Sequence, residues 1–504
     1  MPVAPPVAAV RRVPPLGPPP VVLARISPVL RRRRSLLWWG MAGFFFVAYT
    51  ALAISRQQNL LTDGYDLGIF DEAVRSYAGG HLPYAALKGS AHYSVLGDHF
   101  SPVLVLLVPF YWILPTADTL LVAQAFLLAV ALVPLARWAH RELGAEAAVV
   151  IAFGYGSSWG IAAAVGFDFH EVCFAVPLIA FSLEALAAER WRTALLWALP
   201  LVLVKEDLGF TLAAIGLLVA WKGPRLLGLA AAAFGVAASL VEVLVLIPLS
   251  SDSGYAYFAK SLGAGGAGAA AAGGAAVHQG LVHQLLSVPH NLILPHVKLV
   301  TLIALFAPTA FLALRSRLAL VVVPTLLWRF LSDTPAYWGM TFHYSADLMP
   351  VVFAAFVDAL AQCRRQGWSP RRLRAVLAVS LAVSAVLIPD HPLGALSRPK
   401  TYAVSPVAEA GRELAGRIPN GATVAADNDL AAQLTDRATV FLFPSYPNPG
   451  LPTAQYIITN PASPVGWPDR SVLYRADVAQ ALAHGYHQIA SDDGFVLLRR
   501  DSTG

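Results

Sequence analysis

Five short stretches concentrate the groups of this chain that could do chemistry. Asp66 and Asp71 stand in Y-D-L-G-I-F-D-E-A, Asp98 and His99 in L-G-D-H-F-S-P, and Asp168 and His170 in F-D-F-H-E-V. Lys205, Glu206 and Asp207 stand in V-K-E-D-L-G-F, and His343 and Tyr344 in F-H-Y-S-A-D-L-M-P, a little after Arg329. A carboxylate can take a proton from a hydroxyl or hold a hard cation. A lysine can neutralise a phosphate as a point charge. Each position also has a plain structural explanation. Asp66 stands where a helix would begin and could cap its free N–H groups. Asp71 is four residues from Arg75 and could pair with it.

The elements that must hold these residues can be read next. Asp66 to Ala78 reads as a helix stopped by Gly79-Gly80. Leu67, Phe70, Val74 and Tyr77 share one face, with Asp71, Glu72 and Arg75 on the other. So short an amphipathic helix suits the membrane surface.

Of 504 residues, 57% are hydrophobic and only 13% charged, and the mean hydropathy is +0.59. Soluble domains carry about 25% charged residues, so the expectation is an α-helical polytopic membrane protein. The net charge of +6 does not imply nucleic acid. The basic residues lie between apolar runs, where orientation signals belong, and no nucleic-acid motif is present. Cys173 and Cys363 are too few for a cysteine-based zinc site, and neither reads as disulfide-bonded.

Residues 1–35 read as a disordered cytoplasmic tail ending in Arg31 to Arg34. The transmembrane domain covers 36–389, with a first outer loop at 56–117 and a flexible, Gly/Ala-rich outer loop at 250–290. The scattered histidines His278, His283, His290 and His296 match no tight metal motif. Ser101 to Leu114 is too short to span and reads as a re-entrant or surface helix. About eleven transmembrane helices remain, including two short ones that meet at Lys205-Glu206-Asp207 as broken helices. With the N-terminus inside, Arg137 and Arg141, Arg190 and Arg192, Lys222 and Arg225, Arg315 and Arg317, and 364–374 all fall in the cytoplasm. The five chemical stretches then fall on the outer side, where a helical bundle could gather them into one cavity.

Beyond Pro389 the composition turns soluble, and 390–504 reads as a small extracytoplasmic α/β domain. Helices are expected from Ser405 to Arg417 and from Asp477 to His484. Strands are expected at A-T-V-A-A-D, A-T-V-F-L-F, Q-Y-I-I-T-N, Y-H-Q-I-A and G-F-V-L-L-R-R, with a turn at Asp493-Gly494. Asp427-Asn428-Asp429 reads as a turn. There is no G-x-G-x-x-G and no P-loop, so nucleotide binding has no support.

Taken in order with V-A-A-D-N-D-L-A-A-Q-L-T-D-R-A-T-V-F-L-F-P, these motifs resemble an uncharacterised family of prokaryotic multi-pass membrane proteins, the domain-of-unknown-function family two thousand and seventy-nine. The resemblance runs from about Asn59 to Arg500. That family is in turn similar to the GT-C class of membrane glycosyltransferases. The resemblance implies a polyprenyl-phosphate sugar as donor, membrane lipids as partners, and a divalent cation as the one cofactor to consider. Asp66 matches the first-loop acid that handles the acceptor proton or the metal, Asp168 corresponds by location to a second acid, and Lys205 resembles the residue that meets the donor phosphate. Asp71-Glu72 also looks like the paired acids of some members, so the catalytic set is Asp66, Asp71 and Asp168, with the base open between the first two. Asp98, His99, His170, Lys205, Glu206, Arg329, His343 and Tyr344 form the expected substrate-binding set. The implied function is glycosyl transfer at the outer membrane face. A transporter or flippase for a lipid-linked or anionic solute is the alternative, and an inactive assembly partner a third reading.

Overall fold

The computed structural model describes residues 28–251, 294–332, 334–444, 454–462 and 474–501, with side chains from residue 36 onward. The tail before residue 28 and most of the expected flexible loop, with His278, His283 and His290, lie outside the described residues. The first helix runs Pro28–Gln58, so it begins ahead of the boundary expected at residue 35.

Five helices are long and apolar enough to cross a membrane: Leu36–Gln58, Asp118–Leu143, Arg225–Leu249, His343–Arg365 and Pro370–Asp390. Ala145–Gly156 and Trp159–Val165, bent by 42° at a short break, make a sixth. The other expected spans are helical too, but shorter. They include Ala175–Ala187, Trp191–Leu203, Leu208–Lys222, His296–Thr309 and Val323–Leu331. Length and composition therefore mark six of the eleven expected spans. Breaks fall at polar residues, at Ser157-Ser158 within the bent span and at Lys205 to Asp207, where the helix Trp191–Leu203 stops and Leu208–Lys222 begins.

His343–Arg365 is the central post of the bundle, with nearly every side chain buried. The outer helices expose Leu36, Trp39, Phe44, Val47, Leu226 and Val386, as lipid-facing surfaces do. The basic residues gather at one end. Glu184 is buried there and accepts from both Arg137 and Arg141, Arg315 reaches Gln366 at 3.2 Å, and Arg374 reaches Glu146 at 3.2 Å. The post has His343 at one end and Arg364 and Arg365 at the other. Its 23 residues, at about 1.5 Å each, cover a hydrocarbon core of about 30 Å. His343 thus sits at the opposite end from Arg364 and Arg365, while Arg329 lies at the His343 end.

The C-terminal domain has the five expected strands, but Asp427-Asn428-Asp429, read as a turn, opens a short helix, Asn428–Ala431. Strands β1 (Thr423–Ala426), β2 (Thr439–Leu442), β3 (Tyr456–Thr459), β4 (Tyr486–Asp492) and β5 (Phe495–Arg500) form one sheet in the order β2-β1-β3-β5-β4. The first three are parallel, and β5 runs antiparallel to both neighbours. Helix Pro406–Gly416 starts with Pro at its first position, and the Ser405 hydroxyl accepts from Ala408 N–H at 3.2 Å. The turn at Asp493-Gly494 has positive φ at both residues.

The domain is not a detached module. Ile69, Ala73, Leu87 and Val95, from the segment that follows the first span, share one buried core with Leu414, Val424, Leu430, Val440 and Leu442 of the domain. Helix Ile69–Ala78 ends at Gly79 as read, but it does not lie free on the membrane surface. Phe70 and Val74 pack into the bundle, while Ile69 and Ala73 pack into the domain. The face read as polar and open is covered as well. Glu72 accepts Leu87 N–H at 3.1 Å and Val440 N–H at 3.2 Å, and Arg75 donates to Ala438 C=O at 2.7 Å. A polar helix face can be satisfied by backbone groups of a partner as well as by water.

Candidate active site

Asp66 lies in a π-helical turn, Gly64–Gly68, between the first span and helix Ile69–Ala78. Its side chain caps neither element, so the structural explanation weighed for it is not realised. Asp63 stands just before the turn. Asp168 follows the bent span and is buried. One carboxylate oxygen from each of Asp63, Asp66 and Asp168 lies within 4.8 Å of the others. Asp63 N–H donates to Asp168 Oδ2 at 2.8 Å. The second oxygen, Asp168 Oδ1, is buried and has no hydrogen-bond partner among the described residues.

Three carboxylates this close resist ionisation together. Burial, then the charges of Asp66 and Asp429, push Asp63 up to about 7, against the pull of Arg56. Burial first, and then Asp63 and Asp66, push Asp168 well above the usual carboxylate range. Such a cluster is either partly protonated or neutralised by a cation. Hard oxygen ligands and an orphaned, buried Asp168 Oδ1 fit a divalent ion of the magnesium, manganese or calcium type.

The second layer is aromatic and basic. His170 Nε2 is 3.4 Å from Asp66 Oδ1. Its ring stacks on His343, at 3.4 Å between centroids, and the Phe167 ring lies nearly parallel to both, 5.4 Å from His170 and 6.0 Å from His343. Both ring nitrogens of His343 are buried and unpaired among the described residues. Tyr344 lies against His343 at 4.1 Å. Lys205 Nζ is 3.1 Å from Glu171 Oε1, one residue beyond His170. His99 Nδ1 and Glu206 Oε1 are 2.7 Å apart, and Phe100 N–H also donates to Glu206, at 3.2 Å. Asp98 is paired with Lys88 at 2.8 Å, and Lys88 lies over the Tyr65 ring at 4.8 Å.

The structure therefore gathers Asp66, Asp168, His170, Lys205, His343 and Tyr344 at one place, with the His99–Glu206 and Lys88–Asp98 pairs at its side. Two residues stand apart. Asp71 is fully buried beside Tyr111 and Thr435, under the C-terminal domain and away from the Asp66 cluster; burial pushes it up to about 7. Arg329 directs its guanidinium to the carbonyls of Tyr337, Gly339 and Tyr344 and to Ser345 Oγ, at 2.8–3.0 Å. It thereby shapes the loop that presents His343 and Tyr344.

Asp63 is the residue that sequence reading missed. Its spacing of three from Asp66 was the available signal. Asn428 and Glu171 were also not singled out as site residues. Asn428 lies 363 residues from the Tyr65 N–H that it accepts at 2.7 Å, and no local pattern marks it.

A family model matches residues 56–497, most of the chain. The chain belongs to the DUF2079 family of predicted membrane proteins. Its fold is similar to that of ArnT from Cupriavidus metallidurans. The apo crystal structure gives a TM-score of 0.53 at 14% identity, covering 93% of this chain and 98% of that one. The structure bound to undecaprenyl phosphate gives 0.50 at 14% identity, covering 92% and 98%. The archaeal oligosaccharyltransferase AglB from Archaeoglobus fulgidus, in complex with an inhibitory peptide and a dolichol-phosphate, overlaps at a TM-score of only 0.37 and 13% identity, covering 91% and 74%, too low to support an argument. No curated protein matches the sequence. The distant GT-C likeness thus holds for the fold, a polytopic helical bundle with a small C-terminal sheet.

Proposed function

We propose that the protein is a GT-C-like glycosyltransferase, moving a sugar from a polyprenyl-phosphate donor to an acceptor at the outer membrane face. The observation that carries this reading is the convergence of Asp63, Asp66 and Asp168 within 4.8 Å, beside the Lys205–Glu171 pair. The ArnT fold, which in one structure holds undecaprenyl phosphate, supports the choice of donor class.

In this reading an acceptor hydroxyl gives its proton to Asp66 while its oxygen bonds to the sugar's anomeric carbon. The bond from that carbon to the phosphate oxygen breaks, and polyprenyl phosphate leaves with the electron pair. His170, 3.4 Å from Asp66, holds that carboxylate in place. A divalent cation, held by Asp63, Asp66 and Asp168, would supply charge neutralisation for the carboxylates and polarise a bound oxygen. Asp66 is then base or ligand, and Asp168 the second carboxylate. Lys205 has three N–H donors, so it can keep Glu171 and still meet a phosphate oxygen. His343 and Tyr344 line the sugar side, with Asp98, His99 and Glu206 at its edge; Asp71 and Arg329 act through structure. The N-terminus lies in the cytoplasm and the C-terminal domain outside.

The test is incubation of purified protein with a radiolabelled polyprenyl-phosphate sugar and membrane extract. Transfer of label to an acceptor, with release of polyprenyl phosphate, is expected. Uptake of solute into proteoliposomes with no transfer would instead support a transporter.

A further inference from the structure

We infer that the C-terminal domain forms one wall of the carboxylate site, with Asn428 as a positioning residue that holds the turn carrying Asp63 and Asp66. The inference rests on the reading of Asp63, Asp66 and Asp168 as a cation site. It assigns to a distant part of the chain a role in setting that site's geometry.

The link is specific. Tyr65 lies between the two acids, and its backbone departs from helical geometry at φ −78° and ψ 16°. Its N–H donates instead to Asn428 Oδ1 at 2.7 Å. On one side of it Gly64 rests on the domain so closely that a Cβ there would stand 2.4 Å from the Ala431 Cβ. On the other, a Cβ at Gly68 would stand 2.7 Å from Leu87 Cδ1 and 3.2 Å from Thr435 Cγ2. The Gly64 contact is closer than a side chain permits, and at Gly68 the domain's Thr435 is tight as well, so the turn rests directly on the domain.

Asn428 is itself fixed. It follows the carboxyl end of β1, the edge of a parallel sheet where α/β folds present their binding groups. Its neighbour Asp427 is buried and accepts Asn460 N–H at 2.6 Å, tying the ends of β1 and β3 together. Gln433 Nε2 donates to Gln57 C=O at 2.8 Å, which anchors the same segment to the end of the first span. The Asp63–Asp66 turn is thus held between the bundle, through Asp168, and the domain, through Asn428. Groups that orient a metal's ligands from behind change metal affinity by about 10–100-fold when removed.

The experiment is titration of Mn²⁺ into the purified full-length protein, followed by calorimetry, with amide hydrogen exchange across residues 63–68 measured without metal. Asn428→Ala is expected to weaken Mn²⁺ binding by about 10–100-fold and to speed exchange at Tyr65. Asn428→Asp keeps the acceptor oxygen and is expected to restore slow exchange and binding at least as tight as the parent. If Asn428→Ala does not fold, Asn428→Ser, whose shorter side chain does not reach the Tyr65 N–H as the Asn428 amide oxygen does, takes its place. Asp66→Asn is the control for the reading beneath: unchanged Mn²⁺ affinity there would overturn the cation site itself. Lost binding in Asp66→Asn, with parental affinity and exchange in Asn428→Ala, would overturn the role of Asn428 alone.

Discussion

The backbone N–H of Asp63 donates to the carboxylate of Asp168 at 2.8 Å, across 105 residues of sequence. This bond joins the segment after the first span to the end of the bent span Ala145–Val165, and it sets one carboxylate against two others.

Lys205 and Glu171 form a pair in which the acid is fully buried. Removing the lysine alone strands a buried charge, which typically costs about 3–5 kcal/mol. Lys205→Met is therefore expected to lower the melting temperature, whatever its part in catalysis. Lys205→Met combined with Glu171→Gln removes both charges and should recover most of the stability. If Lys205 meets the donor phosphate, the double variant stays weak in donor binding, seen as a raised KM for the polyprenyl-phosphate sugar. Parental donor KM in the well-folded double variant would take Lys205 out of the site.

The packing of the C-terminal domain on helix Ile69–Ala78 should depend on pH. Burial pushes Asp71 and Glu72 each up to about 7 when the domain is docked. Released into water they would titrate near 4. Between those values the docked form binds more protons than the released form, so docking weakens as pH rises from about 4 to about 7 and is level above. Hydrogen exchange across 69–78 should be slowest at about pH 4 and below, after correction for intrinsic rates, and should quicken towards pH 7. Asp71→Asn should flatten part of that slope. A slope of the opposite sign would show that the two acids are ionised and stabilised in the docked state.

How much of this was legible in the sequence can be seen residue by residue. Periodicity located the helix ending at Ala78, its stop at Gly79 and all five strands, because each repeats its pattern over several residues; the helix reads from Asp66 in the sequence, whereas the α-helix begins at Ile69 after a π-helical turn. The clustering of Asp66, Asp168, His170 and Lys205 at one end of the bundle followed from where charge falls between apolar runs. Three features did not follow. The amphipathic pattern of Asp71, Glu72 and Arg75 marks a polar face, but it cannot tell water from the backbone of β2. Arg329 reads as a binding cation until its bonds to the loop carbonyls are seen. The bond from Tyr65 to Asn428 joins two segments that only the folded chain brings together. The short helices around Lys205 left the span count open for the same reason, since length alone does not decide what crosses a membrane.

The orientation can be checked at Asp492, which is exposed in β4. The two native cysteines, Cys173 and Cys363, are buried, so they leave a quiet background. A cysteine introduced by Asp492→Cys is expected to react with a membrane-impermeant maleimide in intact cells. Labelling only after permeabilisation would place the C-terminal domain, and the carboxylate cluster it packs against, on the cytoplasmic side.

The central claim is that Asp66 does chemistry. Asn and Asp serve nearly equally as helix caps, and Asp66 caps neither element, so Asp66→Asn should leave the fold intact. It removes a proton acceptor and a charged ligand at the same shape. The decisive measurement is the turnover of sugar transfer from a polyprenyl-phosphate donor by purified Asp66→Asn, beside the parent and Asp71→Asn at matched protein levels. The account predicts a loss of about 10²–10⁴-fold in Asp66→Asn, with Asp71→Asn near the parent. Full turnover in Asp66→Asn would contradict it.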